Sequence, residues 1–267
     1  MASDPNSHVV MRRLTTPWEF DDGKEQRQLH YYDFRTNEFD IQSSRHLLTS
    51  VDSFGSDLET FLNRTVESDL ARHLNDLDAG QWNGNLPWRQ RRALILSTMF
   101  QPFRFIAGRG EQEGIDQLRF WMAQEQSYFD NLAVGATASF HFMGVRLPPG
   151  QYLFFPSDGL QVLPLLGSEA KAPGMFVQPT GLDTICAAVP AGVPEERAAS
   201  QIRAALDLGF FPMISVGLQC DRVVIPPPFI RCDKDDLRGM ILAAREAARN
   251  LTIAVAAENR KLGYWPG

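Results

Sequence analysis

The chain has 267 residues, of which 44% are hydrophobic and 22% charged, with a formal net charge of −6. That length and hydrophobic share can bury a substantial core in a single α+β domain over 1–267. The acidic balance argues against a surface that displaces counterions along a long nucleic acid, and leaves room for a small anionic ligand. No segment approaches the roughly 18 apolar residues of a membrane-spanning helix, and the first residues, MASDPNSHVV, lack a basic start followed by an apolar run.

The first element is a hairpin in RQLHYYDFRTNEFDI, where aromatic strands flank RTNE and its Asn suits a turn. SDLETFLNRTVESDLARHLNDL follows as a helix, with Ser56 and Glu59 in capping-box spacing and Leu58, Leu62, Val66, Leu70, Leu74 and Leu77 at helical intervals. A second helix begins near Pro87 and is expected to kink or end at Pro102. GRGEQEG reads as a loop, because no strand precedes it and no Lys-Ser/Thr follows it, and GIDQLRFWMAQEQSYFDNL reads as a third helix.

Beyond about residue 135 the texture changes. SFHFMGVRL, QYLFFP, LQVLPLL, DTICAAVP and RVVIPPP are short, strand-like and punctuated by Pro and Gly. The helices EERAASQIRAALDLG and DDLRGMILAAREAARNLTIAVAAENRKL interrupt or follow them. A helical lobe at about 50–135 and a strand-rich lobe at about 136–267 predict an α+β fold. The helix-rich N-terminal half packs on a mixed or antiparallel sheet formed mainly by the C-terminal half, its edges protected by prolines.

Cys186, Cys220 and Cys232 share no metal-ligand spacing and cannot all pair, which points to a reducing compartment, the cytosol. The five histidines, His8, His30, His46, His73 and His141, form no zinc pattern, so no metal site is expected, and no motif specifies a cofactor. His30 and His73 read as surface positions.

Glu59, Asn63 and Glu67 repeat at i, i+4 and i+8, either as a solvated face or with Glu67 turned into a cavity. In the second helix Gln101 and Arg104 interrupt STMFQPFRF. A guanidinium among Phe100, Phe103 and Phe105 must snorkel, stack or find a carboxylate, and Glu67 is the plausible partner. FFPSDGLQVLP sets Ser157 and Asp158 in a PSDG step with Pro at the second turn position. A turn between two such apolar strands brings Asp158 to the rim of the core, where a carboxylate can be tuned for acid–base work.

The order HVVMRRL, LHYYDFRTNEF, TVESDL, QPFRF and FFPSDG resembles the microbial family known as domain of unknown function 4238, over most of the chain. The family pattern places a His-x-x-Pro near the start, an Ile-Glu step in the first helix, Gln-x-x-Arg in the second and Ser-Asp-x-Pro at a strand end. His8, Glu67, Gln101, Arg104, Ser157 and Asp158 match its polar groups, while Met11 and Leu160 stand where Pro is usual. The resemblance implies that these six residues converge on a pocket, and carries no particular reaction.

Two functions fit. One is a hydrolase or transferase acting on a small phosphate- or carboxylate-bearing compound: Asp158, His8 and Glu67 are catalytic, and Arg104, Gln101 and Ser157 bind the substrate. The other is a non-catalytic ligand- or partner-binding regulatory domain.

Overall fold

The computed structural model describes residues 6–8, 10, 12–21, 23, 27–44, 47, 49–51, 55–78, 87–164, 174–205 and 220–263. Met11 and the side chain of Leu77 lie outside that description.

The chain opens with β1 (Asn6–His8), α1 (Arg12–Thr15), β2 (Gln28–Asp33), β3 (Glu38–Ser43) and β4 (Thr49–Val51). β2 and β3 form the expected hairpin, and Asn37 takes a φ of 61°, the left-handed conformation an Asn tolerates. A continuous helical rod comes next: α2 (Gly55–Leu62), a π turn (Asn63–Glu67) and α3 (Ser68–Asp78). Leu58, Leu62, Val66, Leu70 and Leu74 are all buried, as their spacing demands. α2 starts one residue ahead of Ser56, so the Ser56–Glu59 pair does not open the helix.

α4 (Trp88–Gly108) continues through Pro102, so the helix does not end there. Proline costs about 3 kcal/mol inside a helix. Here Phe100, Gln101, Arg104 and Ala107 are buried on both sides of it, and that burial holds the turn together.

The single helix expected next is two, α5 (Gln112–Met122) and α6 (Gln126–Ser139), separated at Ala123–Glu125. Ring packing explains the break. Trp121 stacks on Phe100 with centroids 4.2 Å apart, and Phe129 lies 6.0 Å from the same ring. In one straight helix residues eight apart are separated by about 12 Å along the axis, so both can meet Phe100 only if the chain turns between them.

The strands form antiparallel pairs throughout. β5 (Phe140–Arg146), β9 (Thr184–Pro190), β8 (Gly174–Pro179) and β7 (Gln161–Pro164) make one four-stranded sheet in the order β5-β9-β8-β7. β6 (Phe155–Pro156) and β10 (Arg222–Val224) join the N-terminal hairpin in another, ordered β3-β2-β10-β6, and β1 pairs with β4. The molecule therefore mixes helix and antiparallel sheet as expected, but the sheet is not a C-terminal property: half of the second sheet comes from residues before 44. α7 (Glu195–Ala205) follows β9. The longest helix, α8 (Lys234–Lys261), lies at the C-terminal side, capped by Asp233, whose carboxylate accepts from the Asp235 and Asp236 N–H groups.

α4 and α5 meet so closely at Gly114 that a Cβ there would fall 2.5 Å from the Ala107 nitrogen and 2.7 Å from the Phe103 carbonyl oxygen. Both are backbone atoms and cannot swing aside. Gly114→Ala should therefore destabilise the protein by about 1–3 kcal/mol despite alanine's better helix propensity. Urea unfolding checks this; a stabilised variant would contradict the packing.

Candidate functional site

Arg104 has no exposed surface. Its Nη1 donates to Glu67 Oε1 at 2.6 Å, and its Nη2 lies 3.8 Å from Glu59 Oε2. Both glutamate side chains are themselves largely buried, at 13% and 15% exposure. The π turn makes the double contact geometrically natural. Eight residues of regular α-helix advance about 80° beyond two full turns, which would splay the glutamates apart. Taking one extra residue into the wider turn sets the phase back by roughly 100° and brings them onto the same side. Asn63, between them in sequence, is exposed, so the three do not share a face as their spacing suggested.

One turn earlier on α4, fully buried Gln101 donates from Nε2 to the backbone carbonyl of Asp158 at 2.9 Å. Four residues further back, Ser97 bonds Gln178 of β8 at 3.0 Å. Ser97, Gln101 and Arg104 thus form one buried polar stripe at i, i+4 and i+7. Sequence reading found the last two and missed the first, although the spacing was visible.

The PSDG step closes a turn in which the Gly159 N–H donates to the Pro156 carbonyl at 2.9 Å. Pro156 is therefore the first turn residue rather than the second, because it ends edge strand β6, where a missing N–H is tolerated. Nor does the turn form a hairpin: β6 and β7 belong to different sheets, so the chain crosses between them here. Gly159 has a φ of 69°, and a Cβ on it would stand 3.0 Å from Gln101 Nε2 and 3.1 Å from Val10 Cγ1. Only glycine lets this turn close on α4.

Asp158 is half-buried. The Ser157 hydroxyl accepts the Arg222 N–H at 3.3 Å and lies 3.8 Å from the Cys220 sulfur, while the Ser157 N–H donates to the Arg222 carbonyl at 3.0 Å. Burial, with the nearby charge of Asp158 second, pushes the Cys220 thiol up to about 12, so it stays protonated. Ser157 is thereby fastened to β10.

The backbone of His8 pairs with Thr49, and β1 packs beside α2 and α4; the His8 side chain lies outside the described residues. The structure thus joins Glu67 to Arg104 and Gln101 to the Asp158 carbonyl, with Gln101 and Arg104 one turn apart on α4, Ser157 fastened to β10, and the strand of His8 beside α2 and α4.

A second charged cluster escaped the sequence reading. Asp33 accepts from Arg222 Nε at 2.8 Å, from Arg35 Nη2 at 3.1 Å and from the Arg35 N–H at 2.9 Å. Arg222 also lies over the Tyr31 ring, 5.4 Å from its centroid. Arg222 stands directly opposite Asp33 in the β10–β2 ladder, a pairing no sequence pattern announces. Through Arg222 this cluster reaches Ser157. His30, expected at the surface, is half-buried beside a cavity of about 270 Å³, and burial, then the charge of Lys234, lowers its pKa.

Among the described residues no three His, Cys, Asp or Glu side chains assemble as metal ligands, and no helix is long and apolar enough to cross a membrane. Comparison with family models, with curated proteins and with solved structures finds no match.

Burial opposes ionisation of Asp33, but the hydrogen bonds from Arg35 and Arg222 prevail and hold its carboxyl well below the usual range. A carboxyl with a depressed folded pKa adds stability that is fully present above its unfolded value, about 3.9, and is lost as pH falls below it. Asp33→Asn should lower stability at pH 7 by about 1–3 kcal/mol and flatten the stability profile below pH about 4. Denaturation at pH 7 and pH 3 measures both; an unchanged acid slope would contradict the assignment.

Proposed function

We propose that the Arg104 cluster and the adjoining turn form the site of a hydrolase or transferase acting on a small phosphate- or carboxylate-bearing compound. The observation that carries this reading is a wholly buried arginine held between two glutamates on a π-distorted helix, and linked through Gln101 to the turn bearing Asp158. Buried ion pairs contribute little net stability, and π turns concentrate at functional sites. Glu67 keeps Arg104 oriented, and the longer Glu59 contact, at 3.8 Å, is the one a ligand anion would replace. Asp158 accepts or delivers the proton, His8 is the second proton-handling group, and Gln101 and Ser157 hold the turn in place. Membership of the domain of unknown function 4238 family is proposed on these same six residues. Three free cysteines, Cys232 exposed and Cys186 and Cys220 buried, support a cytosolic setting.

A binding domain without catalysis has its own support: the Arg104 charge is already answered by two carboxylates, with no chemistry required of it. Thermal-shift screening against nucleotides, sugar phosphates and small carboxylic acids comes first, then turnover of each stabilising compound. The enzymatic reading expects Asp158→Asn to lower turnover about 10²–10⁴-fold with the fold intact. Stabilisation without turnover would favour the binding domain, and a ligand response untouched by Asp158→Asn would leave Asp158 a turn residue only.

A further inference from the structure

The cavity of about 270 Å³ beside His30 shares no lining residue with the Arg104 cluster. Strand register fixes which side chains face it. In the β2–β3 ladder His30 stands opposite Ile41, Tyr31 opposite Asp40 and Tyr32 opposite Phe39, and the Ile225 N–H donates to the His30 carbonyl at 2.8 Å. Successive residues of a strand point to opposite faces, so His30, Phe39, Ile41 and Ile225 share one face of the sheet, and Tyr31 and Asp40 take the other. Leu237 packs with Tyr32 and Ile225 in one buried cluster, so the start of α8 covers that first face. Lys234, one turn before Leu237, and Ile230 and Cys232, from the segment leading into the helix, complete the wall.

This division sorts the charges. The Asp40 backbone borders the cavity, but its carboxylate is held on the far face, where Oδ2 accepts the Tyr31 hydroxyl at 2.9 Å and Oδ1 accepts the Ile41 N–H at 2.8 Å. Asp233, Asp235 and Asp236, at the start of α8, do not line the cavity. Asp233 serves as the helix cap, and Asp235 accepts from Arg238 at 2.7 Å. Lys234 and His30 remain on the cavity side, and neither side chain makes a hydrogen bond or ion pair with another described residue. Burial, then the Lys234 charge, lowers the His30 pKa, so the imidazole is neutral at pH 7 and the ammonium is the net charge of the wall.

The rest of the facing wall is apolar. Ile41 is 49% exposed at its rim, so an occupant that covers it removes apolar surface from water. The volume falls just below the roughly 300–1,000 Å³ of drug-sized sites, so that occupant is small.

We infer that this cavity binds a small apolar monocarboxylate, its chain lying along Phe39, Ile41 and Ile225 and its carboxylate taken by the Lys234 ammonium with an N–H from His30. One cation and one neutral donor match a single negative charge. A compact dianion such as phosphate would use Lys234 and leave the apolar wall without a role.

The test is isothermal titration calorimetry of the full chain with sodium octanoate, paired with iodoacetamide labelling of the native protein. Cys232 is the exposed thiol of the three and stands in the cavity wall, so its labelling rate, followed by peptide mass spectrometry, reports whether the cavity is filled. The inference expects saturable one-site binding that weakens at least tenfold for acetate, for 1-octanol and for the Lys234→Met protein, with Cys232 labelling slowed at least fivefold at saturation. Lys234 is exposed in the first turn of α8, so the variant should keep its melting temperature. Absence of saturable octanoate binding overturns the inference. So does binding that survives Lys234→Met or leaves Cys232 labelling unchanged, since octanoate would then sit elsewhere, the Arg104 cluster included. Acetate or 1-octanol binding as tightly as octanoate overturns it as well, because one dispenses with the apolar wall and the other with the charge.

Discussion

A guanidinium with no exposed surface is tolerable only while carboxylates stay within reach, and Arg104 imposes that condition on three separate parts of the chain. It requires Glu67 at hydrogen-bond distance and keeps Glu59 close, which ties the α2–α3 rod to α4. It coincides with the π turn that aligns the two acids. It also lies two residues beyond Pro102, where α4 could otherwise have ended. Through Gln101 on the same stripe, the constraint passes to the Asp158 carbonyl and so to the point where the chain leaves one sheet for the other.

That crossing is held from both sides. Gly159 fits against α4 and Val10, where any larger residue would meet Gln101. On the other side Ser157 is bound to β10 through both its backbone and its hydroxyl, and Arg222 of β10 carries the connection on to Asp33. Asp158 sits between these fastenings with its carbonyl occupied and its side chain half-buried. A carboxylate so placed has a fixed backbone and a partly dry environment, which suits the proton-handling role proposed for it.

The sequence was most legible where the signal was local or a residue was conspicuously out of place. The β2–β3 hairpin, the leucine stripe of α2 and α3, and Arg104 among phenylalanines seeking Glu67 could each be read without coordinates. What stayed hidden depended on contacts distant in sequence. Pro102 reads as a breaker until the burial around it is known, and α5 and α6 read as one helix until Trp121 and Phe129 are seen to share Phe100. That β6 and β7 belong to different sheets, and that Arg222 faces Asp33, are facts of register. Nor does the π turn have a sequence signature: Glu59, Asn63 and Glu67 read as one side of a regular α-helix.

The most direct test is a double-mutant cycle on Glu67→Leu and Arg104→Leu, read by urea denaturation. If the buried pair organises the site, Glu67→Leu removes the 2.6 Å partner of Arg104 and Arg104→Leu removes that of Glu67, and each single variant should cost about 3–5 kcal/mol. The double variant should then cost little more than either alone, which is a coupling of about 3–5 kcal/mol. Single costs below about 1 kcal/mol that simply add would mark an ion pair of the ordinary surface kind and contradict the account.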